Sequence, residues 1–177
     1  MTNEIKKILI KLNIKKKEKD KMTRTNIGTA SVSNGVAETE YTIPSDATVG
    51  SRTLYGTYQQ NDDYMLAEAY NTFEIRIPTV TTISDVLASI GETATFTAQV
   101  KYNTNQNVNE GTVQFKMGSS NIGSPQNVSN GVATLQYEIP SGTTDGTEIT
   151  AIFLETNTYG ASTSAAGTLS IRESTNV

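Results

Sequence analysis

Between residues 92 and 102 the chain reads ETATFTAQVKY, and Ala94, Phe96, Ala98, Val100 and Tyr102 fall on every second position. Successive side chains of a strand point to opposite faces, so this spacing predicts a half-buried β-strand. The same period recurs downstream. TVQFKM (112–117) places Val113, Phe115 and Met117 on one face, and VATLQYEI (132–139) does so with Ala133, Leu135, Tyr137 and Ile139. TEITAIFL (147–154) aligns Ile149, Ala151 and Phe153, and GTLSIR (167–172) aligns Leu169 and Ile171. TVTTI (79–83) reads as a first strand, whereas SSNIGSPQNVSNG (119–131) reads as a cluster of turn residues. Short period-two strands separated by Gly, Asn and Pro predict an all-β sandwich.

The pattern is written twice. Residues 31–50 and 127–146 share twelve identities in twenty, among them Val32/Val128, Gly35/Gly131, Ala37/Ala133, Tyr41/Tyr137, Ile43/Ile139, Pro44/Pro140 and Gly50/Gly146. With one-residue slips the match runs on to FEIRI (73–77) against LSIRE (169–173), a period of 95–96 residues. That period is the length of a whole sandwich domain and too long for a solenoid unit. Each shared letter has a mechanical role. Asn-Gly makes a tight turn, the apolar stripe that follows is a buried face, and proline ends the strand because it lacks a ladder donor.

The first copy has no counterpart of 79–117. The expected organisation is therefore a lysine-rich segment at 1–22, a partial repeat at 23–77, a complete repeat at 78–172 and a tail at 173–177. Within the first segment, Ile8, Ile10, Leu12 and Ile14 alternate as in a strand, while Ile5, Ile8, Leu9 and Leu12 fit a helix. Periodicity leaves residues 5–14 open between a substitute element and a solvated tail of a fragment cut from a longer array. The partial copy leaves an inner face of Ala37, Tyr41, Ile43, Leu54 and Tyr58 without the strands that would cover it. The expectation is that 5–14 folds back over this face or that two molecules self-associate through it.

Composition narrows the chemistry. The chain lacks Cys and His, which removes disulfides, thiolate sites, the usual zinc ligand and the usual neutral-pH base. Residues 1–22 carry eight lysines against three acids, while the remainder is acidic, so no chain-wide basic field for nucleic acid exists. No apolar run reaches the roughly 18 residues of a membrane span, and the N-terminal stretch lacks the layout of a signal peptide. Glu92, Glu110, Glu138 and Glu155 are scattered over outward positions and turns, without the paired spacing of a carboxylate catalyst. Lys101 and Lys116 fall on outward faces, which predicts no lysine–asparagine crosslink. Asp62 and Asp63 are the weak candidates for calcium, two adjacent acids without further spaced oxygens. Asn127 heads the Asn-Val-Ser triplet, an N-glycosylation acceptor if the chain is exported. Tyr55 and Tyr70 have no aromatic counterpart in the second copy, and Tyr64 pairs with Tyr159; these three are the candidate binding aromatics. No cofactor is expected.

Gly111–Phe115, the Asn130-Gly131 turn with Ala133, the Pro140…Gly146 crossing, and Tyr159 with Ser162 together resemble a bacterial immunoglobulin-like repeat. The resemblance covers about 78–172 fully and the first copy from about 25 to 77. It departs where members often carry an aromatic after the crossing glycine, since Glu148 and Arg52 stand there. It implies immunoglobulin-like β-sandwich repeats, one complete and one truncated at its N-terminal side. It also implies a non-enzymatic repeat of a cell-surface or secreted adhesin-like protein, with neighbouring repeats as its first partners. The alternatives are a module that binds host or cell-surface glycans or proteins, and a component of a phage tail or capsid.

Overall fold

The computed structural model describes residues 25–172. The readings made for residues 1–22, including the helix-or-strand question at 5–14, and for the tail at 173–177 lie outside these. The chain passes from one compact unit to a second between Ile75 and Arg76. No described residue is helical, and no helix is long and apolar enough to cross a membrane.

Among the described residues the first unit holds one hairpin, β1 (Gly50–Tyr58) and β2 (Ala67–Ile75), paired antiparallel from Gly50↔Ile75 to Tyr58↔Ala67. One face carries Leu54, Tyr58 and Phe73, the other Thr53, Tyr55, Tyr70 and Thr72. Among residues 25–75 none is fully buried. The described residues supply no second layer of strands to bury the apolar face of this two-stranded ribbon.

The second unit is a two-layer sandwich. Its strands are β3 (Thr79–Ile83), β4 (Val86–Ala88), β5 (Thr93–Tyr102), β6 (Gln106–Asn107), β7 (Thr112–Met117), β8 (Ser120–Asn127), β9 (Val132–Glu138), β10 (Thr147–Phe153), β11 (Ser162–Thr163) and β12 (Gly167–Ile171). One sheet centres on β5, with β3 along one edge and β9 and β6 sharing the other. The second runs β4-β12-β10-β7-β8, with the short β11 also on β10. The chain changes layers between β3 and β4. Ser84 N–H still donates to Thr97 of the first sheet (3.1 Å), while the Asp85 carboxylate already accepts from Thr168 N–H of the second (2.8 Å). As a result β4 lies parallel to the last strand, pairing Val86↔Leu169 through Ala88↔Ile171.

The predicted stripes meet between these layers. Phe96, Phe115, Phe153, Ile139, Ile149, Leu169, Val100, Val108 and Val113 are fully buried. Phe96 stands edge-on to both Phe115 (6.4 Å) and Tyr137 (6.5 Å). Burying each such side chain is worth about 1.5–3 kcal/mol, and this is the term the described residues of the first unit lack.

The stretch 119–131 departs from the expectation of turns, because most of it is strand β8. Its pattern is broken for identifiable reasons. It is an edge strand paired only with β7, so Pro125 withholds no needed donor. Gly123, at φ +56°, lies where a Cβ would come 2.6 Å from Leu135, so the backbone itself packs on the core. Only Ile122, Val128 and Gly131 of this region are buried. A second departure is Gln114, outward by period yet buried. The β7–β8 register slips between Val113 and Phe115, and the Gln114 amide nitrogen turns back to the carbonyls of Phe115 (2.9 Å) and Ile122 (3.1 Å).

The duplicated motif divides sharply into what is local and what is not. Both Asn-Gly turns adopt positive φ at both residues, 51° and 76° at Asn34-Gly35, 49° and 78° at Asn130-Gly131. Both are closed by reciprocal backbone bonds, Ser33 with Val36 and Ser129 with Val132. Past the turn the copies part. Val132–Glu138 forms β9 on β5, with Ala133, Leu135 and Ile139 buried. Residues 37–49 form no strand, and Ala37, Tyr41 and Ile43 are only half-buried. A turn is encoded by its own residues, whereas a strand exists only against a partner.

Candidate functional site

The side chains with specific polar work gather at the two poles of the sandwich. Thr79 pairs with Tyr102, so the chain enters at the pole where β5 ends. There Ile77 exchanges backbone bonds with the loop after β10, donating to Thr158 (2.8 Å) and accepting from Gly160 (2.9 Å). Arg76 donates from Nε to the Thr156 carbonyl (2.7 Å) and lies 3.7 Å from the Glu155 carboxylate. The loop is set from within. The Thr156 hydroxyl accepts from the N–H groups of Thr158 and Tyr159 and donates to Glu110 (2.6 Å). Tyr159 packs against Tyr102 with ring centroids 5.1 Å apart and planes tilted by 55°, and its partial burial, then the Tyr102 hydroxyl beside it, hold the Tyr159 phenol above its ordinary pKa.

The chain leaves at the opposite pole, where β5 begins. Arg172 N–H donates to Ala88 O (3.0 Å), and its guanidinium grips both oxygens of Glu92 at 3.0 and 2.9 Å. Glu92 also accepts from Ser89 N–H at 2.8 Å. The Arg172 guanidinium, then this backbone bond, lower the Glu92 pKa below the ordinary carboxylate range. Arg76 and Arg172 are one repeat apart in sequence, and pattern reading singled out neither. Their signal was the shared Ile-Arg at the end of FEIR and LSIR.

The other sequence candidates are distributed as follows. Tyr55 and Tyr70 are direct cross-strand partners on the outer face of the hairpin, rings 5.9 Å apart, with Tyr70 75% exposed. Tyr64 sits in the hairpin loop, 66% exposed and edge-on to Tyr58 at 6.4 Å, away from that pair. Asp62 and Asp63 are exposed in the same loop. Asn61 shapes it by accepting from the N–H groups of Asp63 (3.1 Å) and Tyr64 (2.7 Å). Among the described residues no three His, Cys, Asp or Glu side chains cluster as metal ligands. Asn127 is exposed at the end of β8. Lys101 is part-exposed with Nζ on Asn105 Oδ1 (2.7 Å), and Lys116 is part-exposed on β7. Glu92, Glu110 and Glu155 are divided between the poles, each with its own partner. A hollow of about 210 Å³ on the outer face of β3 and β5 is open and lined largely by polar ends such as Thr82, Gln99 and Asn103.

A first strand shared between two layers, a parallel β4–β12 pair and a core filled from alternating positions define an immunoglobulin-like β-sandwich module. The family model for the bacterial Ig-like domain, group 3, matches residues 80–172. The chain belongs to this family. No curated protein matches it. Domains of this kind are typically non-catalytic and are common in extracellular and surface proteins.

Proposed function

We propose that the chain is a non-enzymatic structural repeat of a cell-surface, adhesin-like protein, and that its sandwich works as a spacer under tension. The observation that carries this reading is the placement of the first and last strands. The chain enters at one pole and leaves at the other, and β4 and β12 lie parallel between them. Tension applied through the two ends runs along these strands, so their hydrogen bonds are loaded together in shear. The same bonds pulled apart sideways break one after another. Arg172 reinforces the pair where the chain leaves, and Arg76 fixes the linker where it enters.

The test compares pulling directions in one protein by single-molecule force spectroscopy. The native chain has no Cys, so introduced cysteines are unique handles. Handles flanking 76–172 are expected to give a distinctly higher unfolding force than handles at Leu87 and Ser170, which face each other across the β4–β12 pair. Equal forces defeat the reading. Its surface location is tested separately by labelling intact cells with an antibody against 76–172, and signal only after permeabilisation counts against it.

The Tyr55–Tyr70 pair supports a second reading, a hairpin face that receives a glycan or protein, because two adjacent rings, tilted 43° to each other, place aromatic surface side by side on one face of the hairpin. Binding on a glycan array that survives Tyr70→Ala removes this platform from consideration.

A further inference from the structure

We infer that Asn34 is a site of spontaneous covalent modification, and that the fold protects its duplicate, Asn130, from the same reaction. Residues 32–37 and 128–133 are the same six letters, VSNGVA. Reactivity set by sequence neighbours is therefore equal at the two turns, and a difference between them comes from structure. The reaction is ring closure within an Asn-Gly pair. The glycine nitrogen attacks the asparagine Cγ, an approach that no glycine side chain obstructs. The N–Cγ bond forms and the Cγ–Nδ2 bond breaks. The side-chain nitrogen leaves as ammonia, taking up the proton that the glycine nitrogen gives up. Water then opens the cyclic imide. Attack at Cγ yields aspartate. Attack at the main-chain carbonyl yields isoaspartate, in which the backbone runs through Cβ and Cγ.

Ring closure needs the side chain and the following peptide to rotate together, so the closed turn must first open. At Asn130 opening breaks a network. Asn130 N–H donates to Asn109 Oδ1 (2.6 Å), and the Asn130 Oδ1 accepts from Asn107 Nδ2 (3.1 Å). The attacking nitrogen, Gly131 N, donates to the Val108 carbonyl (2.7 Å), and the Gly131 carbonyl accepts from Val100 N–H of β5 (2.8 Å). Gly131 is buried, and Asn107 fills the space beside its Cα. This turn opens only together with part of the sandwich, at the costly end of the range for local unfolding. At Asn34 the reciprocal bonds of Ser33 and Val36 (2.9 and 3.0 Å) close the turn. Among the described residues nothing bonds the Asn34 side chain or the Gly35 N–H. Both residues are exposed, and no atom stands within 4 Å of a Cβ built on Gly35. Aspartate at 34 keeps the turn, because Asp-Gly favours the same geometry. Isoaspartate lengthens the backbone between Ser33 and Val36, and both products add a negative charge.

The experiment ages the full chain in neutral buffer at physiological temperature. Samples taken over weeks are digested and read by fragment-ion mass spectrometry, with an isoaspartate-specific methyltransferase assay alongside. Conversion at Asn34 is expected to outrun that at Asn130 by about tenfold or more, the ratio of the two open populations. In denaturant the two rates are expected to converge, since the flanking letters are identical. Gly35→Ala, at a position with open space around it, is expected to slow the Asn34 reaction and leave Asn130 unchanged. Asn107→Ala, which removes one clamp, is expected to speed Asn130 alone. Equal rates in the folded chain overturn the inference. So does a rate difference that persists in denaturant, or loss of the Asn34 amide that Gly35→Ala does not slow.

Discussion

At the scale of residues, the sandwich offers neighbours with opposite fates. Phe115 is fully buried against Phe96, while Lys116, one position on, is part-exposed on the same strand. Phe115→Ala leaves a cavity in a packed core and is expected to cost about 3–5 kcal/mol. Lys116→Ala is expected to stay within about 0.5 kcal/mol. Thermal melts of 76–177 check the pair, and equal effects would show that β7 faces the other way. Glu92 makes a pH prediction. Its folded-state pKa is depressed by Arg172, so its pair stabilises the fold above the ordinary carboxylate range and is lost as pH falls through the lower folded value. Glu92→Gln is expected to lower the neutral-pH melting midpoint slightly and flatten its decline in acid. Both groups are solvent-accessible, so the effect is small. An unchanged acid limb in melts across pH would show that the grip of Arg172 adds nothing to stability.

At the scale of elements, the sequence disclosed whatever has a strict period or a local turn. The stripes of β5, β7, β9, β10 and β12 and both Asn-Gly turns were legible for that reason. Strand β8 was hidden because an edge strand tolerates Pro125 and packs through the bare backbone of Gly123. The burial of Gln114 depends on a register slip that no period announces. The poles were hidden because Arg76 and Arg172 meet partners about 80 residues away in sequence. The Asn-Gly turn also yields a test. At Gly131 (φ +78°) a Cβ would approach Asn107 to 2.8 Å, whereas at Gly142 (φ +88°) it meets open space. Gly142→Ala is expected to cost only the left-handed penalty of about 1–2 kcal/mol. Gly131→Ala adds a clash and is expected to cost measurably more. Equal denaturation midpoints would mean that Asn107 swings away freely.

At the scale of the whole molecule, the two units differ in what holds them. The second has a continuous core that includes Val86, Phe153 and Leu169, while the first has no fully buried described residue. Residues 76–177 are expected to give dispersed amide spectra and one cooperative melt. The isolated stretch 25–75 is expected to melt without cooperativity, because a hairpin alone is marginal. Calorimetry decides, and a second sharp transition in 25–75 would refute this account of the first unit. The duplicated motif marks the limit of reading function from such a chain. Twelve shared letters specify the same turn twice, but the strand after it only where β5 supplies the other half.

The opposite placement of the two poles has a consequence for size. Strand β5 spans ten residues from one pole to the other, which at about 3.3 Å per residue is roughly 3 nm. In a tandem array each additional copy then moves whatever sits at the tip outward by roughly that distance plus a linker, without altering a single contact inside the copies already present. In the array proposed above, reach would therefore scale with the number of copies, with no new folding problem to solve.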